Sequence, residues 1–531
     1  MLDHFPTNSG ATYRENDAKK EQELCGVSFE DKGIGLCPKT WSTSPGTIVY
    51  SIRESKYNGN PDAFESTYCP RQRALKDTVA GVDKLASFKQ SVNGQFHQST
   101  SATYAQASAL YYHFSRYLNA ILDVPVAVMR TMDRQEHLHR VASKGPAIAQ
   151  GKMIAAGWNV INSAEKNPLG YVPDDEFYYE DPQNGLFYGV MLKNRGERYG
   201  AEFNGNISGK GYTQQYAFLQ KTPAFIALAS ETKWPDAAPF GIALSKKDPV
   251  VGKALGPNVS NEQMMFWMQE LSEILILDHI FSQQDRPGNI DYIWVWYYVD
   301  GEGQLRSRHI EAKVSRPGMS SIQAPDEVKG SATRYLIQKT QLNDNDAGGR
   351  RYANFTQKFG LLSKIHHLNA VTYRQLGRLA NDFETKGPLY KYVRDTFYIS
   401  DANANLITQN AVQAAQILRG ACKAGKMNFD LDAFPISAAL IRINRKRNDA
   451  SRRNDRFPLR CPSAAYHISR PSIHPYNILM IWKFLTRDFR NRPSPPRPLA
   501  PQHIAQRPDQ NSSFRLCTRP VKSELLGQRF G

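Results

Sequence analysis

No apolar run in this chain of 531 residues comes near the roughly 18 to 20 that a membrane-spanning helix requires, so no transmembrane segment is expected. The start, Met1-Leu2-Asp3-His4-Phe5, lacks a basic stretch followed by an apolar one, and no signal peptide is visible. The chain is then cytoplasmic as it stands, or exported if its natural N-terminus is missing. Six cysteines at 25, 37, 69, 422, 461 and 517 include no Cys-x-x-Cys pair and no histidine at zinc spacing, which argues against structural zinc. Gly-x-Ser-x-Gly, His-Glu-x-x-His and the P-loop ending in Gly-Lys-Ser/Thr are all absent. There is no internal repeat.

What is present reads as globular: 41% of residues are apolar and 11% aromatic, in a length that suits two to four domains. The net charge of +17 is unevenly placed. Residues 441 to 531 hold 19 Lys and Arg against 5 Asp and Glu, which leaves the first 440 with a surplus of only 3. The same stretch has 11 of the 31 prolines and 2 of the 36 glycines. A break this sharp places a boundary near residue 436, and a Pro/Arg-rich tail without periodicity is expected to be disordered or translated out of its natural frame. Its Arg445-Lys446-Arg447 and Arg452-Arg453 would suit weak contact with a polyanion, nucleic acid or anionic lipid. Four cysteines belong to the body, an even number that suits two disulfides in an oxidising compartment; buried free thiols fit equally well.

Residues 1 to 25 are polar and read as an irregular extension. Strands are expected at 47 to 52 and 85 to 90, the latter carrying Lys89 near its end. Tyr104, Ala107, Tyr111, Phe114, Leu118 and Ile121 recur at helical spacing and predict an amphipathic helix, followed by a strand over 124 to 129. A buried strand over 186 to 192 is expected to pair with 199 to 205 through Asn194-Arg195-Gly196. Prolines around 234 to 239, 249 and 257 read as passage between two lobes. Ser260 followed by Gln263 is a capping-box pattern that opens a long buried helix to Phe281. Beyond Asp285-Arg286-Pro287-Gly288-Asn289 come a hairpin over 292 to 312 turned by Asp300-Gly301, a strand over 335 to 342, the loop Asn343-Asp344-Asn345-Asp346-Ala347-Gly348-Gly349, and helices around 354 to 384 and 400 to 424.

The order is what carries chemistry. Phosphoryl transfer from ATP uses a small-lobe Lys for phosphate oxygens, an Asp in a loop after a helix to orient the acceptor hydroxyl, an Asn just beyond it and a second Asp for metal. Mg²⁺ demands hard oxygen ligands and bridges the phosphates. Lys89, Asp285, Asn289 and Asp344 or Asp346 stand in those places.

This arrangement resembles the atypical kinases: type II phosphatidylinositol 4-kinases, the Golgi casein-kinase family and HipA-type kinases, over roughly residues 85 to 385. The resemblance implies a two-lobed, kinase-like α+β fold, with a β-rich small lobe and its insertion over 26 to 255, and a mainly helical catalytic lobe over 256 to 435. It also implies ATP with Mg²⁺ or Mn²⁺ between the lobes, Asp285 as catalytic carboxylate, and metal on Asn289 with Asp344 or Asp346, with a slight preference for Asp344. Three features depart from those families. Asn289 follows Asp285 by four residues rather than five, so the loop is one residue short or Asp291 substitutes; the helix over 103 to 121 has no Glu for Lys89, with Gln106 the nearest polar group; and Ser44-Pro45-Gly46 is the only phosphate-loop candidate. These departures keep open a pseudokinase that binds a nucleotide or partner without transfer, and a polyanion-binding protein acting through its tail. The acceptor hydroxyl, on protein, lipid or small molecule, is not specified. His137, His139, His366 and His367 read as surface histidines, and Trp294 to Tyr298 as a half-buried strand.

Overall fold

The computed structural model describes residues 4–75, 79–91, 103–168, 179–181, 185–193, 196–205, 207 and 209–432, with backbone alone over 179–181. The tail from 436, Cys461, Cys517 and the turn at Asn194-Arg195 lie outside the described residues. The structure is α+β and two-lobed, as expected. Residues 17 to 26, read as irregular, form helix α1 (Asp17–Gly26). Strands β1 (Ile34–Pro38) and β2 (Gly46–Ser51) pair antiparallel, and helix α2 (Pro61–Tyr68) separates them from β3 (Asp83–Lys89). Helix α3 (Ala105–Tyr117) and strand β4 (Ala127–Asp133) follow. An insertion then supplies α4 (Arg134–His137), α5 (Gly145–Ile148), α6 (Lys152–Lys166) and β5 (Tyr179–Asp181) before β6 (Leu186–Leu192). The strands form one antiparallel sheet in the order β1-β2-β3-β6-β4, with β5 against β6.

Helix α3 is more deeply placed than its pattern indicates, for every one of its residues is buried. The face expected to meet solvent is covered by α1 and the segment before it. Burying polar side chains there requires partners, and α1 provides them: Arg116 pairs with Asp17 at 2.7 Å, and Tyr112 donates to Glu21 at 2.7 Å. Tyr13 Oη lies 2.7 Å from His113 Nδ1.

After β7 (Glu197–Arg198) the chain builds α7 (Tyr212–Leu219), α8 (Pro223–Leu228), α9 (Trp234–Ser245) and α10 (Pro249–Leu255). Two expectations fail here. Residues 199 to 205 are not a strand against β6; β7 just before them pairs with Asp291 and Tyr292 instead. The prolines over 234 to 239 and at 249 lie in helices rather than in a linker: Pro235 and Pro249 stand in first turns, where a fixed φ fits and no N–H is needed, and Pro239 lies inside α9, while Pro257 is in the loop before the next helix.

Helix α11 (Asn261–Phe281) is the axis of the second lobe, with α8 and α9 against it. Ser260 caps it as predicted, its hydroxyl accepting from Gln263 N at 3.1 Å. The Gln263 side chain does not reach back; it accepts from Gln338 N and donates to Gln338 O, so the cap also fastens a strand. That strand is β10 (Arg334–Gln341), which pairs antiparallel with β8 (Asp291–Val299), and β8 turns into β9 (Leu305–Ile310) as the hairpin predicted. Helices α12 (Asp326–Lys329), α13 (Phe355–Lys358), α14 (Ala370–Glu384), α15 (Pro388–Thr396) and α16 (Asp401–Lys423) complete the fold. Cys37 is bridged to Cys69, and Cys25 and Cys422 are also disulfide-bonded, so the free-thiol alternative is set aside for the four described cysteines. Among the described residues no helix is long and apolar enough to cross a membrane.

Two buried carboxyls on α11 join the lobes' parts. Glu270 accepts from Thr340 N at 3.0 Å and Thr340 Oγ1 at 2.7 Å, while Glu273 accepts from Ile121 N at 2.9 Å and Leu122 N at 3.1 Å. Burial pushes Glu270 up to about 8 and Glu273 up to about 7. A carboxyl raised in the folded state binds its proton more tightly there. The resulting stabilisation is complete below the unfolded value of about 4.3 and is lost as pH rises through 7 to 8. The melting temperature is therefore expected to fall between pH 5 and pH 8, and Glu270→Gln with Glu273→Gln to flatten that slope; an unchanged slope in the double variant would assign the dependence elsewhere.

Candidate functional site

Lys89 is the last residue of β3, and the loop after β10 carries Asp344 and Asp346. The fold brings them together across 257 positions of sequence: Lys89 Nζ lies 2.7 Å from Asp346 Oδ1, with the side chains 5% and 4% exposed. Burial alone would lower the Lys89 pKa, but Asp346 and Asp344 outweigh it and raise it. Asp346 Oδ2 is buried and has no hydrogen-bond partner among the described residues. The backbone is fixed as well, since Tyr104 N at the start of α3 donates to Asp346 O at 2.8 Å.

Asp344 is half-buried and left-handed at φ 52°. Burial acts to raise its carboxyl, yet Lys89, Lys39 and Arg198 hold it well below the usual range. Arg198 on β7 ties the cluster, pairing with Asp344 at 3.0 Å and Asp291 at 3.0 Å and donating to Asn289 Oδ1 at 2.9 Å. Asn289 also donates from Nδ2 to Asp285 O at 2.6 Å, so it folds back over its own loop. Asp285 is pushed up to about 6, by burial first and then by the charge of Asp344. Asp291 is likewise raised to about 6 by burial. Gln106 is not brought to Lys89. Its Oε1 accepts from Ser91 Oγ at 2.7 Å, and Asp346 takes the place that a helix carboxylate would have.

One residue holds these loops in register. Arg286, 1% exposed, donates from Nε and Nη2 to Asp278 of α11 at 2.9 Å each. Its Nη1 serves Asn343 O at 3.0 Å and Asn289 O at 3.3 Å, and Nη2 also reaches Asn345 Oδ1 at 2.9 Å. Tyr111 of α3 donates to Asp278 Oδ1 at 2.8 Å. The Asp285 loop, the Asp346 loop, α11 and α3 thus converge on one guanidinium. The glycines after Asp346 are required by close approach: a Cβ at Gly348 would stand 2.7 Å from Phe281 O, and Gly349 N donates to that same oxygen.

Sequence reasoning missed Lys39, Arg198 and Asp278. Lys39 N, just past β1, donates to Gly46 O at 2.8 Å, and Gly46 stands opposite Lys89, so Lys39, Gly46 and Lys89 form a row at the end of the sheet. Residues directly opposite share a face, and the missing side chain at Gly46 leaves room between the two lysines. Asp278 was readable as a third acidic residue in the apolar body of that helix after Glu270 and Glu273, eight positions before Arg286. Arg198 gave no local signal. His137 and His367, read as surface groups, are fully buried and bonded, His137 to Glu165 and Thr47, His367 to Asp430 and Ser230 O. Among the described residues no group of three or more His, Cys, Asp or Glu is placed to hold a metal. A cavity of about 650 Å³ lies near the end of β6, lined by Leu85, Lys193, Ile293 and Gln341 among others. A larger depression of about 960 Å³ lies between α8, α9 and α16, and Lys89, Asp285, Asn289, Asp344 and Asp346 line neither of the two.

No protein-family model and no curated protein matches the chain. Among solved structures it is similar to the Golgi casein kinase with Mn/ADP bound, at 11% identity and a TM-score of 0.34, covering 80% of this chain and 78% of that one. A second structure of the Golgi casein kinase gives 9% identity and a TM-score of 0.34 over 77% and 76%.

Removing Arg286 would leave Asp278 buried without its counter-charge, a loss of about 3–5 kcal/mol. Arg286→Ala is expected to lower the denaturant midpoint most, and Arg286→Lys to fall between it and the parent, because an ammonium cannot fork to both loops. Equal midpoints for Arg286→Lys and the parent would show that the charge alone matters.

Proposed function

We propose that the chain is a kinase-like phosphotransferase that moves the γ-phosphoryl group of ATP to a hydroxyl. The observation that carries this reading is the buried Lys89–Asp346 pair with an unpartnered Asp346 oxygen, set beside Asp285 and Asp344. A buried carboxylate oxygen without a donor is costly, and one such oxygen with the phosphates of a nucleotide is a set that suits Mg²⁺, which is usually held by one or two carboxylates plus phosphate oxygens. Mn²⁺ takes the same donors. When bound, the metal would neutralise charge on the transferred and leaving groups. Asp346 would hold it through Oδ2, with Asn289 or Asp344 as a second contact. Lys89 and Lys39 would grip phosphate oxygens.

In the transfer, the acceptor oxygen forms a bond to the γ-phosphorus, the bond to the bridging oxygen breaks, and ADP leaves with that electron pair. The hydroxyl proton passes to Asp285. With its value near 6, Asp285 is ionised at neutral pH and still basic enough to take the proton.

One observation favours the second reading, nucleotide binding without transfer. The Arg198 guanidinium already spans Asn289, Asp344 and Asp291, the oxygens a second metal ion would need. In that reading Arg198 stands in for the metal.

Asp285→Ala is expected to abolish turnover while sparing nucleotide affinity, and the parent's kcat to rise with pH through about 6. Calorimetric titration of Mn²⁺ with ADP should show a large loss in Asp346→Ala and a smaller one in Asp344→Ala; unimpaired binding in both would remove the metal from the account. Wild-type turnover in Asp285→Ala would remove its catalytic role, and nucleotide binding without any turnover in the parent would select the second reading.

A further inference from the structure

We propose that Glu165 and His137, both in the insertion between β4 and β6, are positioning residues that hold Lys89 in place from behind the sheet. This rests on the reading of Lys89 as the phosphate grip. A Lys at the end of a strand has four rotatable bonds and a frayed backbone, and the usual constraint is a carboxylate on the following helix. Helix α3 contains no acidic residue.

The constraint is found on the opposite face. Alternation along β3 points Gln90 away from Lys89, and there Gln90 Nε2 donates to Glu165 Oε1 at 2.9 Å. The same carboxylate accepts from His137 Nδ1 at 2.8 Å. A carboxylate only accepts, so Nδ1 carries the proton. His137 Nε2 lies 2.7 Å from Thr47 Oγ1, and Thr47 follows Gly46, the residue opposite Lys89. All four side chains are buried. One carboxylate therefore fixes the residue after Lys89 and, through an imidazole, the neighbouring strand one position away. Helix α6, which carries Glu165, reaches the other lysine too: Trp158 Nε1 donates to Lys39 O at 3.2 Å. A Cβ at Gly157 would meet Pro45 Cγ at 2.8 Å, so the helix lies directly against the β1–β2 turn.

The test compares Glu165→Ala, Glu165→Gln and Ile161→Val in the full chain. Ile161 is a buried core residue of the same helix whose apolar side chain takes no part in this hydrogen-bond chain, so its variant reports simple destabilisation. The first readout is the rate at which an amine-acylating ester modifies Lys89, followed by peptide mass spectrometry below the melting temperature of every variant. The second is the affinity for ADP with Mn²⁺. Glu165→Ala is expected to raise Lys89 labelling and weaken ADP binding roughly tenfold or more, since misplacement by about 1 Å can cost a hundredfold. Glu165→Gln retains an acceptor for Gln90 and should restore both largely to the parent values, and Ile161→Val should leave both unchanged despite a lower melting temperature. Parent-like labelling in Glu165→Ala, or equal changes in Ile161→Val, would overturn the proposal. A parent protein that binds no ADP would instead overturn the nucleotide reading, with the labelling still deciding whether Glu165 fixes Lys89.

Discussion

The Arg286–Asp278 pair sits where a helix of nineteen consecutive buried residues meets two loops, and most of the molecule's polar interior is arranged around it. Two charges withdrawn from water are costly, and their mutual attraction compensates only when the remaining donors and acceptors are also satisfied. Here they are. Each N–H of Arg286 reaches an oxygen, and Asp278 also takes the Tyr111 hydroxyl. The consequence is geometric: neither loop can shift without stranding a buried charge, so Asp285 and Asp346 are held at a fixed separation before any ligand arrives.

The charged cluster beside that pair is built on the opposite logic. Asp344, Asp346, Asp285 and Asp291 crowd a small volume, and Lys89, Lys39 and Arg198 balance them incompletely. Carboxyls raised at 285 and 291, one depressed at 344 and a buried oxygen at 346 without a hydrogen-bond partner among the described residues are the features on which the proposed cation and phosphate site rests. Arg198 already holds oxygens of Asp344 and Asp291. In the proposed function its position is what separates transfer from binding alone.

Much of the fold was legible wherever the signal was local. The Ser260 cap and the apolar run behind it gave α11, the Asp300-Gly301 turn gave the β8–β9 hairpin, and the strand ending in Lys89 was read within a residue or two. The rest depended on contacts far apart in sequence. A lysine-rich α1 looks like a solvated extension until α3 lies beneath it, offering Arg116 and Tyr112 to its carboxylates. The prolines of α8 to α10 mask helices because their place in the first turn is visible only when the following turns are known. Tyr199 was mistaken for strand; it is buried beside Trp267 of α11, to which its hydroxyl is bonded. Lys89 was expected to face Asp344 or Asp346, and its ammonium meets Asp346. Nothing in the strand, helix or loop alone could rank two aspartates two residues apart.

The central claim is that Lys89 and Asp346 are the two halves of a nucleotide and metal site. Diffraction from crystals grown with Mn²⁺ and ADP, with anomalous scattering to locate the manganese, tests it most directly. The account predicts a manganese peak in coordination with Asp346 Oδ2, bridged to ADP phosphate oxygens, and Lys89 Nζ turned to a phosphate. A closed Lys89–Asp346 pair with no manganese beside it, and ADP bound elsewhere or not at all, would contradict it.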